Sequence, residues 1–427
     1  MIKLTWLARR FSRQLLLRSL VCVGIVLTGS FASAGSATVL NAVEKSDSKA
    51  DPGLLVSEAA EQRLRSAIVH YLEQFEQMPQ APESIVPSGP LLEPGDVDNR
   101  VGLVRRRLAE IVRMDIVRTK PGTHQLLSNA GSPVFDDELK RGVMQFQSRH
   151  GLPPDGRIDQ TTVEALNVPL ADRLAQMRNN LAQLIQLRRQ VTSSRYVLVN
   201  IPARELVAVR NRRIELTSTV IVGRPERATP TLHVSIRAVN IHPAWHVPAS
   251  IVKSDLFPRF SSDPEYFRRR QFVVFDVKAQ ESIDPAVVIS RGLRPQDIRL
   301  IQRPWSGNAL GRIRIDMPNV SSVYLHDTPL PRLFGWPEGL LSAGCVRVAR
   351  IVELAGWLIS NKAGLNLEPV TESLKKSVPK TLPLAEPIPV HFVYQTAWVN
   401  HYDEIQFRPD VYGREKHTGT KLRKNRE

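Results

Sequence analysis

The chain has 427 residues, 42% of them hydrophobic, and a formal charge of +16 from 58 basic against 42 acidic residues. That is enough chain for two or three packed domains and too much apolar content for a disordered one. The basic excess suits an anionic polymer or a plain solvated surface. No nucleic-acid recognition motif accompanies the charge, so a nucleic-acid partner is excluded.

The chain begins with Lys3, Arg9, Arg10, Arg13 and Arg18, then an apolar run from Leu20 to Leu27, then Ala32-Ser33-Ala34. A basic, apolar, small-residue order predicts a signal peptide over 1–34, and the apolar run is short for a membrane span. The expectation is an exported, periplasmic protein. An uncleaved leader would instead leave it anchored at the inner membrane and place it against the membrane or wall surface.

After a small, polar lead, Leu64, Ile68, Tyr71, Leu72 and Phe75 recur at helical spacing. Pro79, Pro82, Pro87, Pro90 and Pro94 then predict a linker, so 35–94 reads as one helix and a Pro-rich connection. Residues 95–168 read as a small helical module. Val101, Val104, Leu108 and Ile111 mark one helix, and Leu139, Val143 and Phe146 mark another that ends at His150-Gly151. A short helix begins at Thr161 or Thr162 and runs to Leu166. Leu170, Leu174, Met177, Leu181 and Leu184 then predict a connecting helix over 169–194.

From Tyr196 the texture is strand-like, with Tyr196–Asn200, Leu206–Val209 and Thr217–Val222 as the first three strands. A charged stretch, about 248–304, interrupts the β pattern and reads as an insertion with some helix at Asp263–Phe267. Val348, Ile351, Ala355 and Leu358 outline a helix, and Pro387–Tyr394 one more strand. The fold class is α+β: helical module first, then a mostly β module over 195–375, a strand extension over 376–413 and a basic tail over 414–427.

Chemistry concentrates at one place. The two cysteines are Cys22, inside the leader, and Cys345, nineteen residues past His326. A lone thiol in an oxidising compartment is a liability unless its reactivity is used. A cysteine with an imidazole beside it is the minimal equipment for thiolate acyl transfer. The plain alternative is a small buried hydrophobe. Gly344 allows close backbone approach, so the N–H groups of Gly344 and Cys345 are candidate oxyanion donors. The helix after Cys345 is a candidate source of thiolate stabilisation, and Arg347 either anchors a substrate carboxylate or braces the loop. His242 and His246 have metal-like spacing, but Pro243 argues against the helix that would align them, so no metal is assigned. Asp327 and Glu338 make no convincing glycosidase pair, and Trp245, Trp305, Trp336 and Trp398 fit either a groove or a core.

Tyr324-Leu325-His326-Asp327-Thr328, followed by Ser342-Ala343-Gly344-Cys345-Val346-Arg347-Val348, resembles the signature of the L,D-transpeptidases with a YkuD-type catalytic domain. Val222–Pro225 with Thr229-Pro230, Asn240–Pro248, Asn308 with Gly311-Arg312, Met317–Asn319, Thr396–Trp398 and Phe407–Tyr412 resemble its long, YcbB-like branch. Phe146-Gln147, His150–Leu152, Asp155-Gly156, Thr162 and Leu166-Asn167 resemble a peptidoglycan-binding module. The resemblance implies that Cys345 is the nucleophile and His326 the general acid/base, oriented by the Asp327 carbonyl. Gly344 would serve the oxyanion, and Tyr324, Ser342 and Arg347 the substrate. It further implies a peptidoglycan stem peptide as donor, a thioester intermediate, a 3→3 cross-link, no cofactor, and an insertion that caps the site. Water as acceptor would make an L,D-carboxypeptidase, a lipoprotein lysine would tether the envelope, and a decayed site would leave a wall-binding protein. Two positions depart from the wider family: Ala343 stands where histidine is usual, and Asp327 where glycine is common.

Overall fold

The computed structural model describes residues 53–77, 83–115, 131–336 and 339–415. The leader with Cys22, Pro79 to Pro82, Glu338 and the tail beyond Glu415 lie outside the described residues.

The helical expectations are met in order by α1 (Glu58–Gln77), α2 (Asn99–Asp115), α3 (Asp137–Arg149), α4 (Gln160–Leu166) and α5 (Leu170–Gln190). Asp136 caps α3 by accepting from the Leu139 N–H at 2.9 Å, and α4 starts earlier than either threonine because Asp159 caps it. The stretch beyond Glu83 is packed rather than free. Val86 is buried, its N–H and carbonyl both bonded by the Asn167 amide at 2.9 and 2.8 Å. Leu92 bridges to Ile158.

Strands β1 (Arg195–Asn200), β2 (Glu205–Arg210), β3 (Arg213–Gly223) and β4 (Leu232–Ile241) open the β module. They join β9 (Ile313–Asp316), β10 (Leu325–His326), β11 (Leu340–Ser342), β12 (Val346–Val348) and β13 (Lys380–Val393) in a nine-stranded sheet of order β11-β3-β12-β10-β9-β4-β13-β1-β2. An added β2–β3 pairing curls the sheet closed. Helix α6 (Ile351–Ile359) buries Leu354, Ala355 and Trp357 in its core, and α7 (Glu368–Lys375) follows. Val348, expected on the helix, belongs to β12. Strand β13 is far longer than the expected Pro387–Tyr394 despite Pro383, Pro387 and Pro389. It pairs with β4 along most of its length, whereas its parallel partner β1 joins only from Val390. The prolines therefore sit where the missing N–H groups face no second strand.

The insertion has its own core. Strands β5 (Trp245–His246), β6 (Phe272–Asp276), β7 (Glu281–Ile283) and β8 (Ile298–Gln302) form a separate four-stranded sheet. Short helical turns cover it, and Phe260 stacks on Phe267 at 3.9 Å.

The strand extension ends in a hairpin, β14 (Ala397–Val399) and β15 (Ile405–Phe407), that does not join the large sheet. Its Ala397, Val399, Ile405 and Phe407 instead enter the core formed by α1 to α5. The helical module is thus completed by residues from the other end of the chain. Phe407→Ala is expected to cost about 3–5 kcal/mol and to loosen the helical module. Denaturant unfolding checks this, since an unchanged midpoint would place Phe407 outside the core that sets stability.

Candidate active site

Strands β10 and β12 run parallel, with Leu325 opposite Val346 and His326 opposite Arg347. Side chains alternate across a sheet. Leu325 and Val346 enter the core, so Tyr324, His326, Cys345 and Arg347 share the opposite face. Pairing thus removes the nineteen-residue separation. The Val346 N–H donates to the Tyr324 carbonyl at 3.0 Å, fixing Cys345 beside Tyr324.

The Cys345 thiol is half-buried and lies 3.9 Å from the Ser322 carbonyl. Burial pushes its pKa up, against the opposing pull of Tyr324 and of the Arg347 cation. The Tyr324 phenol interacts with both the thiol and the Trp245 side chain. Its ring meets the His326 ring edge-on at 5.8 Å between centroids.

His326 is buried. Loss of water, and then Arg347, pull its pKa down to about 3, against the Asp327 and Leu310 carbonyls. Those carbonyls lie close enough to favour its charged form, yet Nδ1 has no well-aligned hydrogen bond. Among the described residues no hydrogen bond joins this ring to the thiol. The resting pair is a neutral thiol and a neutral imidazole, since burial disfavours both charges.

The loop before the thiol differs from expectation. Gly344 has φ +112°, a conformation that favours glycine. Its N–H donates to Ser342 Oγ at 3.1 Å, and so is occupied rather than free for an oxyanion. Ser342 Oγ in turn donates to the Cys345 carbonyl, so Ser342 braces the loop. Among the described hydrogen bonds none is donated by the Cys345 N–H. The next helix, α6, starts only at Ile351, with β12 between. The thiol therefore sits at the head of a strand, and a helix N-terminus contributes nothing to it.

The Asp327 side chain turns away from the His326 ring, whereas its carbonyl lies against it. Its carboxylate accepts from the Arg312 N–H at 2.8 Å, and it packs so closely on Gly311 that a side chain there would clash. His242 Nε2 lies 3.1 Å from the Leu374 carbonyl, which occupies the ring that metal spacing had singled out.

Arg347 keeps a buried Nε with no partner and lines a cavity of about 180 Å³ with Trp245, Tyr266, Thr328 and Leu330. Two of these come from the insertion, which thereby covers this side of the face. A cavity of about 210 Å³ bounded by Arg204, Glu205 and Thr217 touches none of these groups. Of the shared face of β10 and β12, Arg347 lines the smaller one, whereas Cys345 and His326 do not.

Sequence reasoning missed two participants. Ser322 offers only its carbonyl, which no residue type betrays. Thr229, fully buried, donates to the Gly344 carbonyl at 2.9 Å; its only sequence signal is the Thr229-Pro230 pair.

Two stretches of the chain match known protein families. Residues 194–371 match the family model described as L,D-transpeptidase catalytic domain, YkuD. Residues 125–166 match the one described as "Putative peptidoglycan binding domain". The chain carries a YkuD L,D-transpeptidase catalytic domain behind a peptidoglycan-binding domain. A Haemophilus influenzae protein named "Putative L,D-transpeptidase" is 30% identical over 217 residues, 51% of this chain and 44% of that one. The chain thus spans less than half the length of this curated relative. Among solved structures, an L,D-transpeptidase from Mycobacterium smegmatis is 12% identical, with 47% of this chain and 58% of that one covered and a TM-score of 0.24. One from Stackebrandtia nassauensis is 12% identical, covers 73% and 97%, and has a TM-score of 0.25. In this L,D-transpeptidase domain, the matched stretch includes Tyr324, His326, Cys345 and Arg347, and the insertion as well.

Proposed function

We propose that the protein is a cysteine L,D-transpeptidase that forms 3→3 peptidoglycan cross-links through a thioester on Cys345. The observation that carries this reading is the common face of β10 and β12, where Cys345 and His326 stand with Arg347, whose buried Nε has no partner and whose side chain lines a cavity. The family match supplies the class of reaction, and the peptidoglycan-binding domain supports the polymer.

In this mechanism the Cys345 sulfur attacks the carbonyl of the third stem residue while His326 takes the thiol proton. The oxyanion is met by the Cys345 N–H, because the Gly344 N–H is engaged. His326 returns the proton to the departing D-alanine amine. An amine from a neighbouring stem then attacks the thioester and restores the thiol. Arg347 holds a substrate carboxylate, whose charge would satisfy the buried guanidinium. Export to the periplasm follows from the location of this polymer and from the leader-like N-terminus.

The test is incubation of the purified protein with tetrapeptide muropeptides and mass spectrometry of the products. Dimers linked 3→3 are expected. Tripeptides without dimers would overturn cross-linking in favour of hydrolysis, and a lipoprotein lysine as acceptor would appear as a mixed product when that peptide is supplied. Unchanged substrate would leave the wall-binding reading.

A further inference from the structure

We propose that Thr229 is a positioning residue for the nucleophile, held in place by the C-terminal segment. The proposal deepens the transpeptidase reading, and only its acylation arm rests on it.

Every polar group of this fully buried threonine is used. Oγ1 accepts from the Gly223 N–H at 2.9 Å and donates to the Gly344 carbonyl at 2.9 Å. The Thr229 N–H donates to the Tyr412 hydroxyl at 3.3 Å, which donates to the Gly223 carbonyl at 2.6 Å. Arg414 Nη2 donates to the Thr229 carbonyl at 2.9 Å. Strand β3 and the nucleophile loop therefore meet at the Thr229 hydroxyl, and the C-terminal segment holds its backbone. The approach is so close that a Cβ on Gly223 would lie 2.2 Å from the Arg227 carbonyl oxygen.

The consequence for chemistry is geometric. The Gly344 carbonyl belongs to the peptide unit that also carries the Cys345 N–H. Bonding that oxygen to Thr229 sets the direction of the N–H, and it anchors the peptide from which the Cys345 side chain springs. The plane of a peptide is stiff, so one hydrogen bond at the carbonyl orients the donor on its other side. The far end is equally fixed. Tyr412 is backed by Tyr394, whose hydroxyl accepts from the Tyr412 N–H at 2.8 Å. Upstream, the Arg408 carbonyl accepts from Gln176 of α5 at 3.0 Å.

The test compares Thr229→Val, which keeps shape and removes the hydroxyl, with Thr229→Ser, which keeps the hydroxyl. Cys345 is read by two reagents, a carbapenem for acyl transfer and iodoacetamide for bare thiol access, across pH. Thr229→Val is expected to slow acylation by about tenfold or more, because misplacement of a reacting group is costly. It is expected to speed alkylation about fivefold, with the alkylation profile moved to lower pH as the freed thiol meets water. Thr229→Ser should behave as the wild type in both. Should Thr229→Val fail to fold by circular dichroism, Tyr412→Phe decides, with the same signs and smaller size expected. A folded Thr229→Val, or failing that a folded Tyr412→Phe, with both rates unchanged would overturn the proposal. A wild type that alkylates but never acylates would remove the transpeptidase reading, while the alkylation profiles would still judge Thr229.

Discussion

Cys345→Ala is expected to take up no carbapenem, where the wild type gains one drug mass by intact-protein mass spectrometry. The reason is chemical: acyl transfer needs a nucleophile, and Cys345 is the free cysteine of the described chain. No oxygen nucleophile replaces it within the loop, since Ser342 Oγ is already bonded to the Cys345 carbonyl and the Gly344 N–H. Stability should hardly change. The thiol is half-buried, its hydrogen bond to Ser322 is long at 3.9 Å, and such a substitution typically costs within about 1 kcal/mol. Circular dichroism and thermal midpoint should therefore match the wild type. An adduct on the alanine variant would show that another group is acylated and would end the assignment of Cys345.

His326→Ala should slow acylation at pH 7 by about a hundredfold or more, the usual range for a lost general base. The pH profile carries the stronger test. With its pKa pulled down to about 3, His326 is neutral and able to accept a proton throughout the range from pH 5 to pH 8. The thiol is pushed up, so it stays protonated over the same range. The reactive form of the wild type is thus the neutral pair, and its acylation rate should be flat between about pH 5 and pH 8. In the alanine variant only preformed thiolate reacts. Its rate should then rise about tenfold per pH unit until the thiol itself titrates above the ordinary value near 8.5. A wild-type profile with an acid limb near 6.5 would show that His326 is solvated and ion-paired. A folded variant as fast as the wild type at pH 7 would show that some other group takes the proton.

The asymmetry of these expectations follows from burial. A thiol and an imidazole exposed to water would share a proton readily. Here both are desolvated against a sheet face, where a charge on either is costly. Arg347 favours the thiolate and disfavours the imidazolium, so its two effects on proton transfer from sulfur to the ring oppose one another.

Much of this molecule is legible in one dimension. The periodicities of Leu64 to Phe75 and of Leu170 to Leu184 named α1 and α5, because a helix buries one stripe and writes that stripe at 3.6-residue spacing. The first three strands were readable from β-branched runs between turn residues. The Cys345 and His326 motifs identified the kind of chemistry, because few residue types supply a soft nucleophile and a base near neutral pH. Beyond that, local signals gave out. No window of sequence records that β12 lies parallel to β10, yet this register alone puts His326 and Cys345 on one face. The Asp327 carboxylate turned onto Arg312 and Thr229 bonded to Gly344 are contacts between segments that are separate in sequence. The hairpin holding Phe407 looks like any short β pair and completes a core of helices that begins more than three hundred residues earlier. Periodicity, capping and turn chemistry are decided by neighbours along the chain, so the sequence alone determines them. Register, the orientation of a single N–H and the closure of a core are decided by which surfaces find one another, and only the tertiary structure determines those.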